Sequence, residues 1–431
     1  MQTKTTALAL SLIAGSALAD GHATNRVDGL RPDAPALAAL GDYKVGVQTF
    51  SFTNPDQIDI VNTAAEGDIA RAGRTLDVEI WYPADATTQA GGTYETVTRD
   101  GVTAVVLHGQ AARDAAPMTG ETYPLVILSH GYPGDRFLMS HLGENLASKG
   151  YVVASIDHTD STYSDQAAFG STLVNRPWDQ RFVLDQIAAL DGDLGAMTDA
   201  DNSAVVGYSM GGYGALIYAG AGVTEVSTTY EWGAPQGLLS RNLAGSESHA
   251  ALEDDRVKAF VAIGPWGKNT GFWDDTGLAG ITKPLMLIAG GIDDVSIYDA
   301  IREIFASTVN TTRHLLTFDN ANHNAAAPIP APAESYGISD ALGRSTFDHY
   351  SDAVWDNVRM NNITQHFVTA YLDQHLKGAD TTDFLDLTPN AADGVWDIAE
   401  DGTVGADHTY WAGFADRTAV GLRFETLTQG E

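Results

Sequence analysis

Cysteine is absent from all 431 residues. No disulfide can brace the fold and no thiolate can serve as nucleophile or metal ligand, so stability has to come from the packed core. Positive charge is scarce: 24 Lys and Arg stand against 56 Asp and Glu, for a formal net charge of −32. A field of that sign repels nucleic acid and anionic headgroups and disfavours both as partners. Apolar runs are short, and none approaches the ~20 residues a membrane-spanning helix needs. There is no internal repeat, no glycine-rich phosphate loop, no His-Glu-x-x-His pair and no basic stripe with interleaved aromatics. The Asp-rich stretch LDGDLGAMTDADN lacks calcium-loop spacing. Nothing in the sequence calls for a metal or a cofactor.

What is present begins with MQTKTTALALSLIAGSALAD, which has one early charge at Lys4, a short apolar run and an Ala17-Leu18-Ala19 ending. This pattern predicts a secretory signal over residues 1–19, cleaved after Ala19, and hence export to the periplasm or the exterior. Residues 20–42 read as a loosely ordered, Pro- and Ala-rich leader. A single folded domain is expected over residues 43–378, followed by an extension over residues 379–431 rich in Asp, Gly and Thr.

Residues 44–50 and 75–81 read as short strands; in TLDVEIW, Leu76, Val78 and Ile80 alternate with polar neighbours, as in half-buried antiparallel strands. From Tyr123 the texture changes. LVILS (125–129) is a continuous apolar run of the kind buried on both faces in a parallel sheet. A helix follows over FLMSHLGENLASKG, then a strand at 151–157 and a helix at 178–190. Strand, turn and helix recur at SAVVGYS and MGGYGALIYAGA, with further strands at 257–264, 284–291 and 314–318 and a last helix at 359–378. Strands alternating with helices predict a mostly parallel central sheet clothed by helices on both faces. Residues 223–256 and 325–355 are long polar insertions, suited to lids or binding loops.

Within VVGYSMGGYGAL, composition alone yields roughly 0.2 Gly-x-Ser-x-Gly matches per chain of this length, so the letters carry little. Their setting carries more. Ser209 stands where a buried strand ends and a helix begins, with glycines on both sides, which is what a nucleophile elbow requires. A serine nucleophile needs a histidine base, and the histidine needs a carboxylate. Both occur in the order this arrangement uses: PLMLIAGGIDD delivers Asp293, with Asp294 as a rival one residue on, and FDNANHN delivers His323. Backbone N–H groups for an oxyanion are expected from Met210, after the nucleophile, and from Tyr132 in LSHGYPG, with His130 and Gly131 shaping the turn. VVLHGQ at 105–110 offers a second His-Gly pair, but no helical pattern follows it. Pro265 and Trp266, just beyond the strand at 257–264, are candidate pocket-lining residues.

LSHGYPGDRFLMSHLGENLASKGYVVASIDHTDSTY, GRTLDVEIWYPA and VVGYSMGGYGA together resemble platelet-activating factor acetylhydrolases and the bacterial dienelactone-hydrolase-like esterases near them. The resemblance implies an α/β-hydrolase fold and a serine esterase without cofactor, acting on a small-molecule ester. Ser209 would be its nucleophile, Asp293 its acid, His323 its base, and Tyr132 and Met210 its oxyanion donors. The chain departs from the acetylhydrolases in having Tyr208 where they usually have histidine. It departs from true dienelactone hydrolases in lacking a cysteine nucleophile. Two alternatives accompany this expectation: a serine peptidase on small peptides, and an inactive scaffold of the same fold that binds a ligand.

Overall fold

The computed structural model describes residues 25–431; the expected signal segment, residues 1–19, lies outside them. Strands β1 (Lys44–Ile58), β2 (Arg71–Ala84), β3 (Gly92–Val97), β4 (Ala104–Gly109), β5 (Ala112–Arg113) and β6 (Tyr123–Ser129) are followed by β7 (Val152–Asp157) and β8 (Thr198–Tyr208). Then come β9 (Val257–Ile263), β10 (Leu285–Gly290), β11 (Arg313–Phe318) and β12 (Leu422–Leu427). Ten of them form one sheet in the order β12-β11-β10-β9-β8-β6-β7-β2-β1-β5, and β3 and β4 pair separately as a hairpin. The six central strands from β7 to β11 run parallel, as their unbroken apolar runs predict. Antiparallel β2 closes one side of this parallel block and antiparallel β12 the other.

The longer helices are α1 (Ser140–Ala147), α2 (Phe169–Ala188), α3 (Met210–Tyr218), α4 (Tyr298–Ser307) and α5 (Asn357–Lys377). Alternate strand residues feed two cores. Val126 and Leu128 of β6 face the layer of α1 and α5, with Leu142, Ile363 and Phe367. Leu125 and Ile127 face the layer of α2, α3 and α4, with Val183, Leu216 and Ile304. No helix among the described residues is long and apolar enough to cross a membrane.

Four departures from the sequence reading have physical causes. First, β1 continues to Ile58 through Pro55, and its register with β2 slips between Asn54 and Gln57, as expected where a residue lacks the ladder N–H. Second, α2 starts at Phe169 rather than at 178. Pro177 frees the Leu173 carbonyl, which accepts instead from the Tyr213 hydroxyl at 3.1 Å and Asn242 Nδ2 at 3.2 Å, so the helix survives its proline. Third, residues 25–42 are not loose. Val27 N–H donates to the His108 carbonyl at 2.9 Å, Asn145 Nδ2 donates to the Ala38 carbonyl at 2.8 Å, and Val27 and Ala38 are buried. Fourth, residues 379–431 are not set apart from the body: they bury Trp411 and Phe414 and supply β12, whose Phe424 stacks on Phe367 with ring centroids 5.1 Å apart.

Candidate active site

Ser209 sits between the end of β8 and the first residue of α3, at φ 51° and ψ −111°. An L-residue adopts this conformation only under strain, and the turn is tight enough that its neighbours must be glycine. A Cβ on Gly207 would lie 2.1 Å from the Gly211 carbonyl oxygen, and one on Gly211 would lie 1.9 Å from that of Ser129. The Gly-x-Ser-x-Gly letters are therefore a packing requirement as well as a motif.

The loops after β10 and β11 bring two more residues to this turn. His323 Nε2 is 3.0 Å from Ser209 Oγ, and His323 Nδ1 is 2.9 Å from Asp293 Oδ2. A carboxylate only accepts, so Nδ1–H donates to Asp293 and Nε2 is left to accept from the serine hydroxyl. Asp293 Oδ1 accepts from the N–H groups of Val295 at 2.9 Å and Ser296 at 2.8 Å, which fixes the carboxylate. Asp294 meets the same region through its backbone, donating its N–H to Asn322 Oδ1 at 3.1 Å; its carboxylate does not reach His323. Tyr208 lies against the His323 ring, with centroids 5.3 Å apart, and its hydroxyl donates to Asn324 Oδ1 at 3.1 Å. Burial, reinforced by Asp293, raises the Tyr208 phenol, so it stays a neutral donor.

On the opposite side the loop after β6 runs close to the elbow: a Cβ on Gly131 would lie 3.2 Å from that of Ser209. Met210 occupies the first position of α3, where an N–H has no partner within the helix. Neither Met210 nor Tyr132 uses its N–H in a backbone bond among the described residues outside the regular elements. The loop is held from behind by buried polar groups that no sequence motif marks. His130 Nδ1–H donates to the Gly131 carbonyl at 2.7 Å, and Nε2 accepts from His158 N–H at 3.2 Å. Arg176 donates to the carbonyls of His130 and Gly131. His158 bridges Ser129 Oγ at 2.8 Å and Asp179 Oδ2 at 3.0 Å, and Arg74 clasps Asp179 through two bonds of 2.8 Å. Burial depresses both histidines, His158 to about 3, so they act as neutral one-donor, one-acceptor links. Burial alone would push the Asp179 carboxylate up; facing Arg74 overrides it and keeps the group ionised.

Ser209 and His323 open into a cavity of about 690 Å³, whose walls include Tyr132, Tyr208, Arg99, Arg344, His349 and Asp352. The insertion at 325–355 forms much of one wall, as a binding loop would. The insertion at 223–256 does not reach the cavity. It buries Leu239 and Leu252 and, through Asn242, supplies the partner of the carbonyl that Pro177 frees. Pro265 and Trp266, expected in the lining, are likewise elsewhere. Trp266 N–H donates to the Ser209 carbonyl at 3.3 Å, and its ring is drawn into an aromatic cluster with Phe169, Tyr230 and Phe272. Arg99 and Arg344 went unnoticed in the sequence because they stand on irregular segments that carry no periodic signal, and His349 reads there only as a structural or exposed histidine of an insertion. No cluster of His, Asp or Glu able to hold a metal occurs among the described residues.

Comparison with solved structures finds a ferulic acid esterase from Streptomyces cinnamoneus with a TM-score of 0.54 at 20% identity, covering 83% of this chain and 94% of that one. The fold is that of the α/β-hydrolases. The family described as platelet-activating factor acetylhydrolase, isoform II, matches residues 74–181, from β2 into α2. A cutinase of Thermobifida alba, est1, is 26% identical over 211 residues, which is 48% of this chain and 56% of the cutinase. The platelet-activating factor acetylhydrolase of Cavia porcellus is 44% identical over 64 residues, 14% of this chain and 15% of that enzyme. The chain thus spans about half the length of the cutinase it matches, and far less of the acetylhydrolase.

Proposed function

We propose that this α/β-hydrolase is a cofactor-independent carboxylic-ester hydrolase, with Ser209 as nucleophile, His323 as general base and acid, and Asp293 as the group that orients and stabilises the histidine. The observation that carries the reading is the unbroken chain from Ser209 Oγ to His323 at 3.0 Å and from His323 to Asp293 at 2.9 Å, ending on a strained elbow beside an open cavity. Three similar proteins named as esterase, cutinase and acetylhydrolase support the same class of bond.

In this mechanism His323 Nε2 takes the hydroxyl proton as Ser209 Oγ attacks the ester carbonyl. The negative charge that develops on the carbonyl oxygen is received by the N–H groups of Met210 and Tyr132. Collapse of the tetrahedral intermediate breaks the ester C–O bond, and His323 returns its proton to the departing alcohol. Water, deprotonated by the same nitrogen, then attacks the acyl-serine and releases the acid. Export after cleavage at Ala19 belongs to the same proposal, tested by sequencing the N-terminus of protein recovered outside the cytoplasm.

The deciding experiment treats the protein with a fluorophosphonate probe and compares Ser209→Ala. Rapid labelling of the wild type alone supports the nucleophile, and an unlabelled wild type refutes the enzymatic reading in favour of a binding scaffold. Single-turnover hydrolysis of a matched ester and amide then separates esterase from peptidase: a faster amide overturns the ester assignment.

A further inference from the structure

Resting on the esterase reading, we infer that the cavity beside Ser209 recognises an ester carrying a single negative charge away from the scissile carbonyl, and that Arg99 is the residue that binds that charge. The chain has more than two acidic residues for every basic one, and its other cavity-lining guanidinium, Arg344, pairs with Asp348 at 2.8 Å. Arg99 is different. It lies in the turn of the β3–β4 hairpin, half-buried, and lines the cavity together with Ser209 and His323. It makes no ion pair and its guanidinium donates no hydrogen bond among the described residues, in a protein where carboxylates abound.

The groups that face Arg99 are Tyr163, Arg344, Tyr350 and Tyr132, three phenols and a second cation. Arg344 brings its own anion in Asp348, so the guanidinium left without a counter-charge is that of Arg99. The neutral His349 beside them, bonded to the Tyr163 hydroxyl at 2.9 Å, contributes no further charge. The hairpin is also pinned in place: Gly101 sits at φ +76°, where a Cβ would be 2.3 Å from the Tyr163 carbonyl oxygen. Arg99 is thus presented by a fixed turn rather than a floppy one. A planar fork of five donors without a partner suits a carboxylate or another monoanion.

The charge count argues against a dianion. Asp294, Asp348 and Asp352 also line the cavity. Asp348 is paired with Arg344, and Asp352 is held by the N–H groups of Asn322, Val354 and Trp355, so neither engages Arg99; the three carboxylates still outnumber the two guanidiniums, and a second negative charge on the ligand would be repelled.

The test compares the mono-4-nitrophenyl ester of adipic acid, which carries a free carboxylate, with neutral 4-nitrophenyl hexanoate, and 3-butanoyloxybenzoate with phenyl butanoate. The first pair places the charge on the acyl side and the second on the alcohol side. In at least one pair the ratio of kcat/KM, charged over neutral, is expected to fall about tenfold to a hundredfold in Arg99→Gln. The change should be borne by KM, and Arg99→Lys should restore part of it. Because the readout is a ratio within one preparation, partial misfolding does not mimic it. Ratios unchanged in Arg99→Gln for both pairs overturn the assignment. Titration of monoethyl against diethyl adipate into Ser209→Ala protein reads the same preference without catalysis. If the fluorophosphonate test fails, the esterase reading falls while this titration still decides the anion site: equal affinities for the two adipates refute it.

Discussion

The elbow makes a stability prediction that runs against ordinary expectation. Replacing alanine by glycine normally destabilises a protein, through the entropy of the unfolded chain (~0.8 kcal/mol) and the lost burial of one carbon (~0.8 kcal/mol). At position 209 the backbone lies at φ 51° and ψ −111°, outside the left-handed helical well as well as the right-handed one. Strain of this kind reaches the upper end of the usual range, ~3 kcal/mol, and glycine alone relieves it. Subtracting both penalties leaves Ser209→Gly more stable than Ser209→Ala by roughly 1.5 kcal/mol. Both variants lose the bond to His323, so that loss cancels in the comparison. Equilibrium unfolding in urea, followed by tryptophan fluorescence and far-ultraviolet circular dichroism together, gives the difference. A glycine variant less stable than the alanine variant by ~1–2 kcal/mol, as at an unstrained site, would refute the argument that the serine is held under strain.

Other outcomes follow from single contacts. Asp293→Asn should lower kcat about 10⁴-fold by allowing the wrong histidine tautomer, whereas Asp294→Asn should change it less than about threefold; steady-state kinetics on one activated ester compares them. Phe424→Ala, which empties a site stacked on Phe367 and on His314, should cost about 3–5 kcal/mol of unfolding free energy if residues 379–431 share the central core. Asp135 is raised by burial and by neighbouring Asp157, while it accepts from Thr96 Oγ1 and from Phe137 N–H at 3.0 Å. Its folded value lies above its unfolded one, so the protonated form favours folding below about pH 4 and that contribution is lost as pH rises. Asp135→Asn should therefore stabilise the protein by ~1–3 kcal/mol at pH 8 and by little at pH 4, read from denaturant midpoints at both pH values.

Much of the frame was legible because its signals are local. Buried parallel strands announce themselves as apolar runs, and the sharp turn around Ser209 needs glycines that the letters display. The order of Ser209, Asp293 and His323 was readable too, since each follows a strand. What local signals could not give was anything settled by a distant partner. Whether Asp293 or Asp294 turns its carboxylate towards His323 depends on a loop that Asn322 ties down from the next strand. The helix expected from residue 178 in fact runs through Pro177, and the remedy for that proline, Asn242, lies 65 residues on. The Pro- and Ala-rich stretch before residue 43 looked loose because its partners, on β4 and α5, are far away in sequence. Arg99 was invisible for a related reason: an unpaired cation is meaningful only once its surroundings are known.

The placement of β12 bears on the company this molecule keeps. β11 leads directly to the loop of His323, and without β12 it would present six residues of unpaired backbone at the rim of the sheet. Such a rim is a template for another chain, and an apolar, regular one invites self-association. Here it is covered by a strand whose Arg423 and Glu425 are engaged by Asp319 and Arg302, so the outermost ribbon is charged and its side chains are occupied. At the far end, β5 is only two residues long. There it pairs only Gly46 and Val47 of the fifteen-residue β1, so of the two borders it is the one beside the His323 loop that is covered along its whole length.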